Sequence, residues 1–343
     1  MREKIERLAL QHVLSRLPAP VLNAIARGPV VRHGRTLDPL LAAMMALNAG
    51  PSLEQLPPPA ARRAYGRIIA TTAPDRLAMA TVADAWVGVD GGSIRIRRYV
   101  PAQVRVPGPA VMFFHGGGMV VGDIDQYDST VRYVAEHTGC AVFSVDYRNG
   151  PEHRFPSGVE DAVAAWRWLH AGADRLGIDG KRVAVMGDSA GGYLSAAVAQ
   201  AARDRDLPAP ALQCLVYPVV DMRLLSPSVR TLGQGFGLTE AMVRWFCDNY
   251  VRNDADRSDP LCSPLLADTL AGLPPAIVTV AGFDPLHDEG VAYAERMRSA
   301  GVPVTLLEHD HLTHAWFTMA GLVPPARAAM DETCHRVREV LCS

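Results

Sequence analysis

The stretch Leu307–Phe317 reads LEHDHLTHAWF and sets His309, His311 and His314 close together. Such a cluster can hold a metal ion, or one ring can move protons. A metal site of the H-x-H-x-D-H type needs an aspartate where Thr313 stands. It also needs further ligands downstream, where only His335, inside a helical pattern, is offered. The expectation is therefore no metal. All three histidines qualify by position as the base, and His314 is the one expected to serve. His309 and His311 are expected to be partly solvated loop residues.

A base needs a nucleophile, and one is offered upstream. In RVAVMGDSAGGYLSAAVAQAA an apolar run meets a helical pattern at Gly187-Asp188-Ser189-Ala190-Gly191, a G-x-S-x-G. Such a strand-to-helix corner forces the serine into a strained backbone and lifts its hydroxyl clear of the sheet. The helix that begins there points its partial positive charge at the reacting centre. Acyl transfer from Ser189 builds negative charge on a carbonyl oxygen, and backbone N–H groups can bind that charge. AVMFFHGGGMVVGD supplies them, because consecutive glycines let the main chain approach closely. The expected donors are the amides of Gly117, Gly118 and Ala190, with Gly116 the weaker choice. No lysine follows to make this a phosphate loop, and no helix opens at once to make it a dinucleotide site. His115 is read as orienting the loop.

In such sites the chain order is serine, acid, histidine. AIVTVAGFDPLHDEG places Asp284 just beyond a strand. Asp288 and Glu289 fall a turn later and read as favourable acids in a helix's first turn.

The elements that must position these residues are legible in outline. TVADAWVGV and SIRIRRYVP flank a DGGS turn and read as a hairpin. The continuous apolar runs AVMFFH, AVFSVDY, RVAVMG, LQCLVYP, AIVTVAG and VPVTLLEH follow, with helical stretches between most of them. Buried strands alternating with helices predict a mostly parallel sheet covered on both faces. The count, hairpin included, is eight strands, in an order the sequence does not disclose. Residues 1–75 read as helical, with Leu37, Leu40, Leu41, Met44, Met45 and Leu47 near one face. Residues 222–275 interrupt the rhythm and contain TEAMVRWFCDNYV, for which Thr239 is a natural N-cap. The organisation expected is a helical cap segment (1–75), a core (76–221), a cap insertion (222–275) and the rest of the core (276–343). Apolar wall for a substrate pocket is expected from Met119, Tyr193, Phe236, Trp245, Phe246 and Phe283.

Composition narrows the field. The 343 residues carry 34 basic and 36 acidic side chains, which gives no electrostatic reason to expect nucleic acid or an acidic membrane as partner. No apolar run reaches the ~20 residues of a membrane span. MREKIERLALQHVLSRL lacks the uninterrupted apolar segment of a signal peptide. The six cysteines form no C-x-x-C pair, and Cys140 and Cys214 read as buried thiols. A cytoplasmic setting is the expectation.

With these residues in view, the chain resembles the bacterial hormone-sensitive-lipase-like (family IV) esterases of the α/β-hydrolase fold. The resemblance rests on HGGG at 115–118, DYRNGPEHRFPSGVED at 146–161, GDSAGG at 187–192, YPVVD at 217–221, AGFDPLHDEG at 281–290 and LTHAWF at 312–317. It implies an α/β-hydrolase fold with a helical cap, a Ser189–Asp284–His314 triad and an oxyanion hole from the HGGG loop. It also implies hydrolysis of short- to medium-chain carboxylic esters without a cofactor, and a homodimer through the last strand and helix. Two departures stand out. Asn149-Gly150 replaces the family's Leu-Ala, and His314-Ala315-Trp316 replaces His-Gly-Phe, so Trp316 joins the expected pocket residues. The same triad would also serve an aryl formamide, a lactone or a carbamate. A catalytically silent ligand-binding homologue is disfavoured, because Ser189, Asp284 and His314 are all present.

Overall fold

The computed structural model describes residues 13–47 and 51–342. The amphipathic N-terminal stretch lies mostly outside them. Eight strands form one sheet: β1 (Thr81–Val89), β2 (Gly92–Val100), β3 (Gly108–Phe114), β4 (Ala141–Asp146), β5 (Ile178–Asp188), β6 (Leu212–Val216), β7 (Ala276–Phe283) and β8 (Val304–Thr313). Their order is β8-β7-β6-β5-β3-β4-β2-β1. The β1–β2 and β2–β4 pairings are antiparallel and the others parallel. Every residue of β3, β6 and β7 is buried, as continuous Val, Ala, Ile and Phe runs require when helices cover both faces. β1, at the edge, is largely exposed.

The parallel strands run their C-terminal ends to one rim, and the candidate residues emerge there. β3 leads into the HGGG loop. β5 ends at Asp188 and α6 (Ala190–Asp204) starts directly after Ser189. β7 ends one residue before Asp284, and β8 ends one residue before His314. The corner around Ser189 tolerates no extra atoms. A Cβ at Gly191 would overlap the Phe114 carbonyl oxygen, and one at Gly187 would overlap the Gly191 backbone. Gly191→Ala is therefore expected to cost about 3 kcal/mol or more of stability, read as a lower urea midpoint. A wild-type midpoint would show that the corner can open.

The N-terminal region departs from the all-helical expectation. Helices α1 (Ala19–Ile25), α2 (Pro39–Leu47) and α3 (Pro58–Thr72) are present, but a two-stranded hairpin, Val31–Arg32 with Arg35–Thr36, separates the first two. Long-range contacts override the helical tendency there. Arg35 pairs with Asp310 at 2.7 Å on β8, and the Asp38 amide donates to the His311 carbonyl at 2.9 Å. Leu37, Leu40 and Leu41 are buried as expected, but Leu47 is exposed.

Among the described residues, 222–275 contain no strand. Helix α7 (Glu240–Tyr250) is capped by Thr239, whose Oγ1 accepts from the Met242 amide at 3.1 Å. Leu53, Ala61 and Phe246 pack with Val120 and Val121 beyond the HGGG loop. Arg62 of α3 donates to the carbonyls of Val120 and Gly150, at 2.8 Å each, and pairs with Glu152. Gly150 lies so close to α7 that a Cβ on it would sit 2.6 Å from the Asn249 carbonyl oxygen.

Candidate active site

Ser189 has φ 55° and ψ −115°, a conformation that costs an L-residue energy and persists only where the surroundings impose it. Its Oγ lies 2.9 Å from His314 Nε2. His314 Nδ1 lies 2.7 Å from Asp284 Oδ2. Asp284 is fully buried, and its Oδ1 accepts from the Leu286 amide at 2.8 Å. This geometry calls for the tautomer in which Nδ1–H donates to Asp284 and Nε2 faces the serine hydroxyl. Three side chains from three loops thus stand in one hydrogen-bonded line.

The glycine loop sits beside that line. Gly117 and Gly118 have φ 120° and 60°, which glycine adopts readily. A Cβ at Gly117 would overlap the Val121 carbonyl, and one at Gly118 the Phe246 ring. The Gly116 amide is already engaged, donating to Asp188 Oδ1 at 2.9 Å. Among the described residues, the amides of Gly117, Gly118 and Ala190 reach no protein acceptor. His115 is buried, with Nδ1 2.8 Å from the Gly116 carbonyl and its ring stacked on Tyr147. Burial lowers its pKa, as suits a ring that shapes a loop.

The histidine cluster differs from expectation. β8 continues to Thr313, so His309 and His311 lie on a strand and not in a loop. His309 is buried against the Trp316 ring, and desolvation takes its pKa down to about 4. His311, two residues on, would share His309's face in a regular strand, but the pairing with β7 shifts register between His309 and Thr313, and His311 is exposed.

Several expected pocket residues are enclosed by protein. Met119, Tyr193, Phe283 and Trp316 have at most 1% of their surface exposed. Tyr193 and Tyr250 hydroxyls bond at 3.0 Å, Phe283 meets Phe236 edge-on, and Trp316 packs on Tyr217. Trp245 is half-buried and stands edge-on to Phe246, the ring over Gly118.

Two carboxylates carry more than the sequence disclosed. Glu289 was expected only to favour a helix start. It is buried and accepts from the Val220 and Asp221 amides at 2.8 and 3.2 Å, tying the loop after β6 to α8 (His287–Ser299). Burial pushes its carboxyl up to about 8. Asp188, next to the serine, is also buried. Besides the Gly116 amide it accepts from the Tyr127 hydroxyl at 3.1 Å and the Tyr217 hydroxyl at 3.3 Å. The only sequence signal for either was an acid inside a motif named for another residue.

Sheet order, elbow and rim define an α/β-hydrolase, and a model of that fold matches residues 111–318. The chain is 39% identical over 336 residues to the carboxylic ester hydrolase LipN of Mycobacterium tuberculosis, covering 95% of this chain and 89% of that protein. It is 42% identical over 255 residues to an ethyl acetate hydrolase of Pseudomonas putida, covering 74% of this chain and 79% of that one. A thermostable esterase from Pseudomonas putida ECU1011 superposes with a TM-score of 0.85 at 35% identity, over 89% of this chain and 98% of that structure. The chain belongs to the hormone-sensitive-lipase-like (family IV) esterases, and it is a carboxylester hydrolase. Among the described residues, no helix is long and apolar enough to cross a membrane.

Proposed function

We propose that this esterase cleaves short- to medium-chain acyl esters through an acyl-enzyme on Ser189. The Asp284–His314–Ser189 hydrogen-bonded line carries this reading. His314 Nε2 takes the hydroxyl proton as Oγ attacks the ester carbonyl, while Asp284 fixes the ring and stabilises the imidazolium. The oxyanion forms within reach of the Gly117, Gly118 and Ala190 amides, each such donor contributing about 3–4 kcal/mol. The imidazolium then protonates the departing alcohol. Water, deprotonated by the same ring, attacks the acyl-enzyme and frees the acid. No step calls for a metal or cofactor.

The N-terminal helices and residues 222–275 act as the cap in this reading. Phe246 over Gly118, with Trp245 beside it, narrows the space above the oxyanion loop and favours small acyl groups. Met119, Tyr193, Phe283 and Trp316 form the packed wall behind. A p-nitrophenyl ester series, run beside an aryl formamide, a lactone and a carbamate, tests the substrate class. Butyrate is expected to exceed palmitate by roughly tenfold or more in kcat/KM. Phe246→Ala should narrow that gap. A formamide, lactone or carbamate turned over faster than every ester would replace the reading.

A homodimer belongs to the same proposal. β8 closes one edge of the sheet, and sedimentation of the purified chain tests for pairing there. Cytoplasmic residence is supported by six unpaired cysteines.

A further inference from the structure

Asp188 is a buried carboxylate beside the nucleophile for which the steps above have no use. Its partners come from separate parts of the fold. Oδ1 accepts from the Gly116 amide of the oxyanion loop, at 2.9 Å. Oδ2 accepts from Tyr127, just before α4 (Asp128–Thr138), and from Tyr217, just after β6. The network continues outward. Tyr127 and Tyr65 of α3 share a hydrogen bond of 2.8 Å between their hydroxyls. The Tyr217 hydroxyl accepts from the Phe317 amide at 3.2 Å, and its ring lies 4.6 Å from the His314 ring.

We propose that Asp188 is a positioning residue for ester hydrolysis. Its carboxylate fixes the oxyanion loop through Gly116 and the His314 segment through Tyr217, both in register with Ser189. The proposal rests on the Ser189–His314 reading. With the Gly116 amide held by Asp188, the next two amides are left to face the ester oxygen. With Tyr217 held, the backbone after His314 is tied at Phe317. One carboxylate adjacent to the nucleophile thus sets the distances on which proton transfer and oxyanion binding both depend.

The charge state matters as well as the shape. The groups facing Asp188 are the Gly116 amide, the phenols of Tyr127 and Tyr217 with Tyr65 behind, and the His314 ring. Burial raises the phenols' pKa values, so they remain donors. Three donors fill an ionised carboxylate. A protonated one carries an O–H that competes with them. Burial pushes the Asp188 carboxyl up to about 6, against hydrogen bonds from Tyr127 and Gly116 and the nearby His314 charge. The carboxylate is therefore lost on mild acidification, in addition to the base that serine-ester hydrolysis needs unprotonated. The acid limb of the kcat/KM profile should fall more steeply than one protonation allows.

Asp188→Asn tests this, because asparagine keeps the shape and the Gly116 acceptor but turns an NH2 toward two phenol donors. The expected result is a fall in kcat on the order of 10- to 100-fold with KM nearly unchanged. The acid limb should also relax to a single protonation. A residue serving only as packing would keep its kcat and leave that slope alone. Wild-type kcat and slope in a folded Asp188→Asn would overturn the proposal. Should that variant not fold, the Tyr127→Phe/Tyr217→Phe double variant decides: a several-fold loss of kcat supports the proposal, and wild-type kcat overturns it. Failure of the underlying reading is distinguishable, since Ser189→Ala would then stay active.

Discussion

Ser189→Ala is expected to lower kcat for p-nitrophenyl butyrate by roughly 10⁶-fold while leaving the folded molecule intact. The corner that holds the residue is built by Gly187, Gly191 and the Phe114 carbonyl, while the hydroxyl is bonded to His314. Alanine meets the same strain at φ 55° that serine does, so the substitution adds none. What is lost is one hydrogen bond to His314, worth about 1 kcal/mol. The thermal midpoint should therefore barely move. A fluorophosphonate should label Ser189 in the parent protein and leave the variant unlabelled. Substantial turnover in the variant, or a labelled peptide elsewhere, would assign the nucleophile to another residue.

The second large effect is expected at Asp284. Asp284→Asn should lower kcat about 10⁴-fold with little change in KM. An asparagine oxygen can still accept from the Leu286 amide, so the turn after β7 survives. An amide NH2 would then face His314 Nδ1 and favour the tautomer with the proton on Nε2. That proton would point at Ser189 and leave the ring unable to accept one. Glu289 cannot take over, because its carboxylate is turned to the Val220 and Asp221 amides. Steady-state kinetics on the folded variant decides the matter, and near-normal kcat would remove Asp284 from the mechanism.

The parts of this architecture legible in the sequence share a local cause. Six of the eight strands could be counted because a strand buried on both faces must be apolar throughout, as Ala276–Phe283 is, and the other two because a DGGS turn joins them. The corner at Ser189 was legible because only glycine fits at 187 and 191. What stayed hidden is set by distant contacts. The hairpin at Val31–Thr36 lies against β8, where Arg35 pairs with Asp310, nearly the whole chain away. His309 was expected to be a partly solvated loop residue. Trp316, on the next turn of the chain, covers it. Trp316 itself was expected at the pocket wall, and its burial on Tyr217 is invisible to any local pattern. Asp188 and Glu289 read as ordinary acids, because a carboxylate's role depends on which amides surround it.

Gly150, one of the two departures from the family pattern, has a mechanical consequence. Its carbonyl holds Arg62 of the N-terminal helices, and its bare Cα admits the Asn249 carbonyl at the end of α7. Two helical segments, far apart in the chain, thereby meet at a single residue, one bonded to its carbonyl and the other packed close against its Cα. If both serve as the cap, as proposed, a side chain introduced at Gly150 is expected to disturb the two together.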